Sequence, residues 1–539
     1  MNEENQEIVL KSEALRDWAL SWFSCKETGF GLDLSKLCIG LEEWKAMEAP
    51  LLRALDEMAE LEGGALANRS EGRMVGHYWL RAPELAPDGL GAEIEETRRA
   101  CLEFGRRVRS GEIFPPGGGR FTKVLAIGIG GSALGPQFLQ DALRDPKQGL
   151  EVFFLDNTDP DGFERTLTQL KEDLKTCLVL VTSKSGGTLE TRNGMLVARA
   201  FFEKMGVPFA RQAVAITGKG SALDARAKAE GWLARFPMWD WVGGRTSLCS
   251  AVGLLPGGLM GIEMDRFLEG AAAMDRGTRQ GDLRHNLAAQ LAAAWFLIGK
   301  GHGTRDLVVL PYKDRLRLLG CYLQQLVMES LGKAKDRQGR MVHQGLTVFG
   351  NKGSTDQHAY VQQLRDGLDN FFVCFLRVLE DGSRDHIPVE EDGTGSGDYL
   401  DAFFLGTRRA LSERGRPNLS LNLPQLDAFT LGALVALFER TVGLYASLID
   451  INAYDQPGVE AGKKAANELL QLRSAILQSL QSGEKNLDQL LASLPSKTDG
   501  ESVWLVLQHL LANSWRTGVR MDPAGTFKVN GEGCSSRFS

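Results

Sequence analysis

Four short apolar runs, each ending in a turn and followed by a helical stretch, set the architecture of this chain. They are KVLAIGIGG from residue 123, EVFFLDN from 151, CLVLVTSKSGG from 177 and AVAITGKG from 213. Compact apolar runs with helices between them predict strands buried on both faces of a parallel, doubly wound sheet. The cadence returns in DLVVLPY near 306, GLTVFGN near 345 and FFVCFLRVL near 371, which predicts a second parallel-sheet domain. The expected fold class is therefore α/β. Residues 1–75 (EALRDWALSWF, then WKAMEAPLLRALDEMAELE) read as a helical N-terminal arm jointed at Gly63 and Gly64, and residues 465–539 as a helical tail with a polar ending. The stretch from 380 to 425, rich in Gly, Asp, Ser and Pro, reads as a surface excursion around one helix.

Charge and cysteine usage narrow the partners. A net charge of -7 offers no basic face for nucleic acid or an anionic membrane, which leaves a small molecule as the default ligand. The eight cysteines form no CxxC pair and several lie in apolar runs, so they read as reduced core residues. The seven histidines are scattered without metal-ligand spacing, and no metal is expected. The N-terminus is acidic and polar where a signal peptide would be basic, and no segment reaches 18 uncharged apolar residues, so a cytoplasmic location is expected.

Two turns carry the chemistry of an anion site. In IGIGGSALGP, Gly128, Gly130 and Ala133 have the G-x-G-x-x-A spacing of a dinucleotide fingerprint, and Asp156 ends the next strand, so an NAD site is one reading. The turn VTSKSGGTLE offers a second oxyanion cradle after a nearby strand. Two cradles around one compact phosphate make the better reading. Gly131 and Ser132 would serve from the first turn. Ser183, Lys184, Ser185 and Thr188 would donate from the second, with Gly186 and Gly187 letting the backbone close in.

Four further stretches make the chain recognisable: WDWVGGRTSLCSAVGL (239–254), QQLVMESLGK (324–333), GSTDQHAYVQQLRDG (353–367) and YDQPGVEAGK (454–463). With IGIGGSALGP and TSKSGGTLET they resemble the glucose-6-phosphate isomerase (phosphoglucose isomerase) family over about residues 75–465. The resemblance implies interconversion of D-glucose 6-phosphate and D-fructose 6-phosphate, in glycolysis and gluconeogenesis, by ring opening and proton transfer through an enediolate. Such a reaction needs a base, a ring-opening acid and a cation for the developing oxyanion.

The family's motifs assign the base to Glu329 in MES, enediolate stabilisation to Arg245 in VGGR, ring opening to His358 in DQHAY with Lys463 in GVEAGK, and sugar contacts to Gln325 and Gln456. The implied architecture is two sugar isomerase domains, each an α/β/α sandwich, over residues 76–265 and 266–464, in a homodimer whose histidine enters the neighbouring active site. No cofactor is implied, since protein and substrate supply both the proton and its acceptor, and the NAD reading gives way to sugar phosphate. Two alternatives stay open: a dual phosphoglucose and phosphomannose isomerase, and a non-catalytic sugar-phosphate sensor. The turn SKSGGT and the proline of QPGVEAGK depart from many animal relatives without removing a group the reaction needs.

Overall fold

The computed structural model describes residues 15–529 except 88, 383–386 and 496–497. After a short helix, Arg16–Leu20, come two strands, β1 (Trp22–Ser24) and β2 (Gly31–Lys36). They correct the helical arm expected over residues 1–75. Phe30, Leu32 and Leu34 recur at period two and are buried, the pattern of a strand, and β2 pairs antiparallel with a strand from near residue 420. The rest of that segment keeps its long helix, Glu48–Glu62.

Five parallel strands follow: β3 (Lys123–Ile127), β4 (Glu151–Leu155), β5 (Cys177–Thr182), β6 (Ala213–Thr217) and β7 (Ala234–Pro237). Their order in the sheet is β4-β3-β5-β6-β7. Neighbouring residues point to opposite faces. Val124, Leu178, Leu180 and Ile216 enter a core common to both sheets, whereas Leu125, Ile127, Val179 and Val181 meet the helices Pro160–Gln169 and Leu189–Lys204 on the far side. Both faces are covered, which is why the interiors of β3, β5 and β6 are apolar, with polar residues such as Lys123, Thr182 and Thr217 only at their ends.

The second sheet is built from β8 (Asp306–Tyr312), β11 (Val348–Phe349), β12 (Phe371–Val378) and β13 (Asn418–Leu423), with the small hairpin β9 (Lys333–Lys335) and β10 (Met341–Gln344) beside it. The order is β1-β2-β13-β12-β8-β11, with the last four strands parallel. β13 corrects the excursion expected over 380–425, which also holds the expected helix, Ser396–Ser412. In NLSLNL only Leu419, Leu421 and Leu423 enter the common core, while Ser420 and Asn422 face the other way and interrupt the apolar run.

The helices Met264–Thr278 and Ala428–Leu448 cross in the common core with their backbones touching. A Cβ on Gly432 would lie 1.8 Å from the Phe267 carbonyl oxygen, and one on Gly270 1.8 Å from that of Phe429. Residues 1–455 consequently form one compact unit, and the boundary expected at 265/266 falls inside the helix Met264–Thr278. Ala428–Leu448 is long and apolar enough to span a bilayer by composition, yet its most apolar window is 89% buried within the protein, as a core helix.

The second unit comprises residues 456–539, so the expected boundary at 464/465 falls inside its first helix, Pro457–Gln481. Helices Leu487–Ser493 and Gly500–Ala512 and the hairpin of β14 (Val519–Met521) with β15 (Phe527–Val529) surround its own core of Ile476, Leu480, Leu490, Leu507 and Phe527. The polar ending from residue 530, with Cys534, lies outside the described residues. Five of the other cysteines are free and buried as expected, but Cys38 and Cys321 are exposed.

Candidate active site

The site is assembled at the C-terminal ends of β3 and β5, where a doubly wound sheet opens a crevice. After β3 the chain turns through Gly128 to Gly130, which has φ +59°, into the helix Gly131–Leu143. Gly131 cannot carry a side chain, because a Cβ there would lie 1.9 Å from the Gly244 carbonyl oxygen. The first turn therefore rests directly on the loop that carries Arg245. Beside Gly244 itself there is open space. A Cβ on Gly130 would lie 3.0 Å from the Gln325 amide nitrogen, so the first turn also faces the segment leading to Glu329.

After β5, buried Ser183 organises the second turn. Its Oγ accepts from the Gly186 N–H at 3.2 Å and lies 3.4 Å from Thr188 Oγ1, and Ser185 Oγ accepts from the Gly187 N–H at 3.1 Å. Thr188 sits at the N-cap of the helix Leu189–Lys204, where backbone N–H groups and the helix dipole favour an anion. The Lys184 ammonium donates to the Val242 carbonyl at 2.8 Å, tying this turn to the Arg245 loop and leaving two of its three N–H donors for other acceptors. Burial pushes the Lys184 amine below its ordinary pKa.

The Arg245 loop is held from behind by stacked Trp239 and Trp241, with ring centroids 4.8 Å apart, and by the Gly76 N–H donating to the Trp241 carbonyl at 3.0 Å. Arg245 itself is buried. Nε donates to Ser330 Oγ at 2.8 Å, Nη2 donates to the carbonyls of Ala453 at 2.5 Å and Asp455 at 3.0 Å, and Nη1 faces Glu329 Oε1 at 3.4 Å. Burial lowers the guanidinium's pKa, and the carboxylates of Glu329 and Asp455 oppose that.

Glu329 ends a π-helical turn, Gln324–Glu329, inserted into a helical stretch. One extra residue per turn re-aims side chains, a device frequent at functional sites. Four residues on, Lys333 is buried with its ammonium donating to the Glu329 carbonyl at 3.0 Å and the Asp455 carbonyl at 2.8 Å. Sequence reasoning assigned no role to Ser330, Lys333 or Asp455. The i to i+4 spacing of Glu329 and Lys333 was the available signal.

Gly131, Ser132, Ser183, Lys184, Ser185, Thr188, Arg245, Gln325 and Glu329 thus belong to contiguous turns of the first unit. His358 ends the turn Thr355–His358 and is exposed. Buried Asp356 shapes that turn by accepting from the N–H groups of Asn351 at 2.9 Å and Lys352 at 3.0 Å. Gln456 and Lys463 fall in the second unit, where Gln456 precedes the helix Pro457–Gln481 and Lys463 is exposed upon it. Asp156, the acid of the dinucleotide reading, accepts from Gln137 Nε2 at 2.7 Å. Among the described residues, no group of three or more His, Cys, Asp or Glu side chains is placed to hold a metal ion.

A chain with this arrangement has close relatives. The sequence model of the phosphoglucose isomerase family matches residues 45–389 and 407–487, beyond the span of 75–465 expected from the motifs. Glucose-6-phosphate isomerase of Geotalea daltonii is 53% identical over 491 residues, covering 90% of this chain and 92% of that protein. The enzyme of the same name from Thermosynechococcus vestitus is 53% identical over 501 residues, covering 92% and 94%. Among solved structures, a glucose-6-phosphate isomerase from Chlamydia trachomatis superposes with a TM-score of 0.74 at 27% identity, covering 86% of this chain and 96% of that one.

Proposed function

This chain belongs to the phosphoglucose isomerase family and interconverts D-glucose 6-phosphate and D-fructose 6-phosphate, and we propose that Glu329 is the base that carries the proton between sugar carbons 2 and 1. The sugar phosphate enters with its phosphate on the two turns after β3 and β5, receiving hydroxyl and backbone hydrogen bonds from Ser132, Ser183, Ser185 and Thr188. His358 and Lys463 open the pyranose ring. The Glu329 carboxylate then removes the proton on carbon 2. The C–H electron pair becomes the carbon 1 to carbon 2 double bond, and the carbonyl pair moves to O1, where Arg245 offsets the charge. The hydroxyl proton at O2 passes to O1, and Glu329 returns its proton to carbon 1, which leaves the ketose. Gln325 and Gln456 orient the sugar hydroxyls.

The observation that carries this reading is Arg245 Nη1 at 3.4 Å from Glu329 Oε1, beside a turn able to hold an anion. As Glu329 takes up the proton its charge leaves this pair and appears on the sugar, so the guanidinium keeps one negative partner throughout. Conversion of fructose 6-phosphate to glucose 6-phosphate, followed through a coupled dehydrogenase, tests the activity. Mannose 6-phosphate run beside it tests the wider substrate range, and binding of either sugar without turnover would make the chain a sensor.

Ser183→Ala is expected to raise KM for fructose 6-phosphate by roughly tenfold with kcat nearly unchanged, because phosphate contacts act equally on ground and transition states. Unchanged KM in steady-state kinetics would remove Ser183 from the phosphate site.

The same reading makes the enzyme a homodimer in which His358 completes the partner's site, and the exposure of His358 supports it. Subunit exchange between inactive Glu329→Gln and His358→Ala proteins should then restore roughly a quarter of wild-type activity, since each mixed dimer regains one intact site. No recovery after verified exchange would place His358 in its own subunit's site. A cytoplasmic location belongs to this reading as well, supported by the buried free thiols of Cys25, Cys101, Cys177, Cys249 and Cys374.

A further inference from the structure

Two charged side chains beside the base have no part in the proton transfer. Lys333 Nζ donates to the Glu329 carbonyl at 3.0 Å and to the Asp455 carbonyl at 2.8 Å, and lies 3.2 Å from Asp455 Oδ1. The lysine side chain is 6% exposed and the aspartate 15%. Asp455 is fixed in turn through Oδ2, which accepts from Ser70 Oγ at 2.7 Å and Asn452 Nδ2 at 3.1 Å. Arg245 Nη2 donates to the same Asp455 carbonyl at 3.0 Å. One backbone carbonyl therefore receives both cations, one reaching from the end of the base's helix and the other from the enediolate loop.

We propose that Lys333 and Asp455 form a buried positioning pair that locks the base Glu329 and the cation Arg245 into one frame. The inference rests on the reading of Glu329 as the base. Two cations sharing one carbonyl repel each other, and burial followed by Arg245 pushes the Lys333 amine below its ordinary pKa. A buried lysine in such a place is a costly structural choice unless its pairing brings something else. What it brings is geometry. The carbonyl of the base residue and the chain at Asp455 are joined by a single ammonium, so the π-helical turn cannot shift without also moving the arginine's own acceptors. Displacements of about 1 Å at such groups cost on the order of a hundredfold in rate.

The charge balance fits the same role. Arg245 and Lys333 face Glu329 and Asp455, two cations beside two carboxylates. When Glu329 holds the substrate proton, one negative charge leaves this group as that of the enediolate forms beside it.

The test compares Lys333→Met, Lys333→Arg, Asp455→Asn and the double variant Lys333→Met with Asp455→Asn, alongside Glu329→Gln. We expect Lys333→Met to lose roughly ten- to a hundredfold in kcat with KM for fructose 6-phosphate within about twofold of wild type, because the phosphate turns are untouched. Lys333→Arg should recover part of the loss. The double variant should be no slower than Lys333→Met by more than about twofold, as groups acting as a unit are non-additive. A Lys333→Met enzyme within about threefold of wild-type kcat overturns the proposal, as do fully additive losses in the double variant. If Lys333→Met fails to fold, Asp455→Asn, which keeps the shape, carries the test: a wild-type kcat there overturns the pair. An active Glu329→Gln defeats the base assignment itself. An inactive Glu329→Gln beside an unimpaired Lys333→Met defeats only the positioning pair.

Discussion

Glu329→Gln is expected to lower kcat by about 10³-fold while KM for fructose 6-phosphate stays within about threefold of wild type. The amide matches the carboxylate in shape and still offers an oxygen to Arg245 Nη1, so the π-helical turn and the arginine's bonds to Ser330, Ala453 and Asp455 have no reason to move. What is lost is the lone pair able to accept a carbon-bound proton. Steady-state kinetics give the magnitude, and incubation in deuterium oxide gives the mechanism. Wild-type enzyme should exchange the carbon 2 proton of glucose 6-phosphate with solvent, read by proton NMR, and the variant should not. Continued exchange by the variant would assign the base to another group.

The second large effect is on stability. Arg81→Met should destabilise the first unit by about 3–5 kcal/mol, because it takes the cation from buried Glu439 and the two-point partner from buried Asp275. Arg81 makes a two-point contact with Asp275, Nε to Oδ2 at 2.7 Å and Nη2 to Oδ1 at 3.0 Å, and its Nη1 meets Glu439. The three side chains are at most 1% exposed. Around them Arg440 pairs with Glu62, and Arg279 contacts Glu62 at 2.5 Å and Asp275 at 3.3 Å, so three arginines face three carboxylates. The cluster joins the turn His77–Arg81, the end of the helix Glu48–Glu62 and the crossed helices Met264–Thr278 and Ala428–Leu448. A neutral methionine fills much of the space and leaves Asp275 and Glu439 without their shared cation. Urea unfolding followed by circular dichroism measures the difference, and a shift under about 1 kcal/mol would mean the cluster rearranges around the gap.

Much of this was legible in the chain itself, for reasons that differ by element. Apart from Lys123 and Thr182 at their ends, KVLAI, CLVLVT and FFVCFL are apolar because both faces of their strands are covered, and a continuous apolar run between turns can be read without tertiary knowledge. NLSLNL could not be read that way, since Ser420 and Asn422 are buried polar residues, and β1 and β2 are too short to outvote the helical spacing around them. In the site, Glu329, Arg245 and the two turns follow from local motifs. Lys333 and Asp455 meet across 122 residues, a distance that no spacing rule reaches. The Lys184 ammonium turned out to serve the Val242 carbonyl because a lysine's long stem lets its charge leave the turn that its backbone belongs to.

The pairing of β2 with β13 matters before the protein is ever complete. Asp33 lies opposite Ser420, so nearly the whole of the first unit must leave the ribosome between the two strands. At about 5–20 residues per second, the early strand waits roughly twenty seconds to over a minute for its neighbour. During that interval Phe30, Leu32 and Leu34 have no finished sheet to enter, which makes the nascent N-terminus a natural client for whatever shields apolar chain during synthesis.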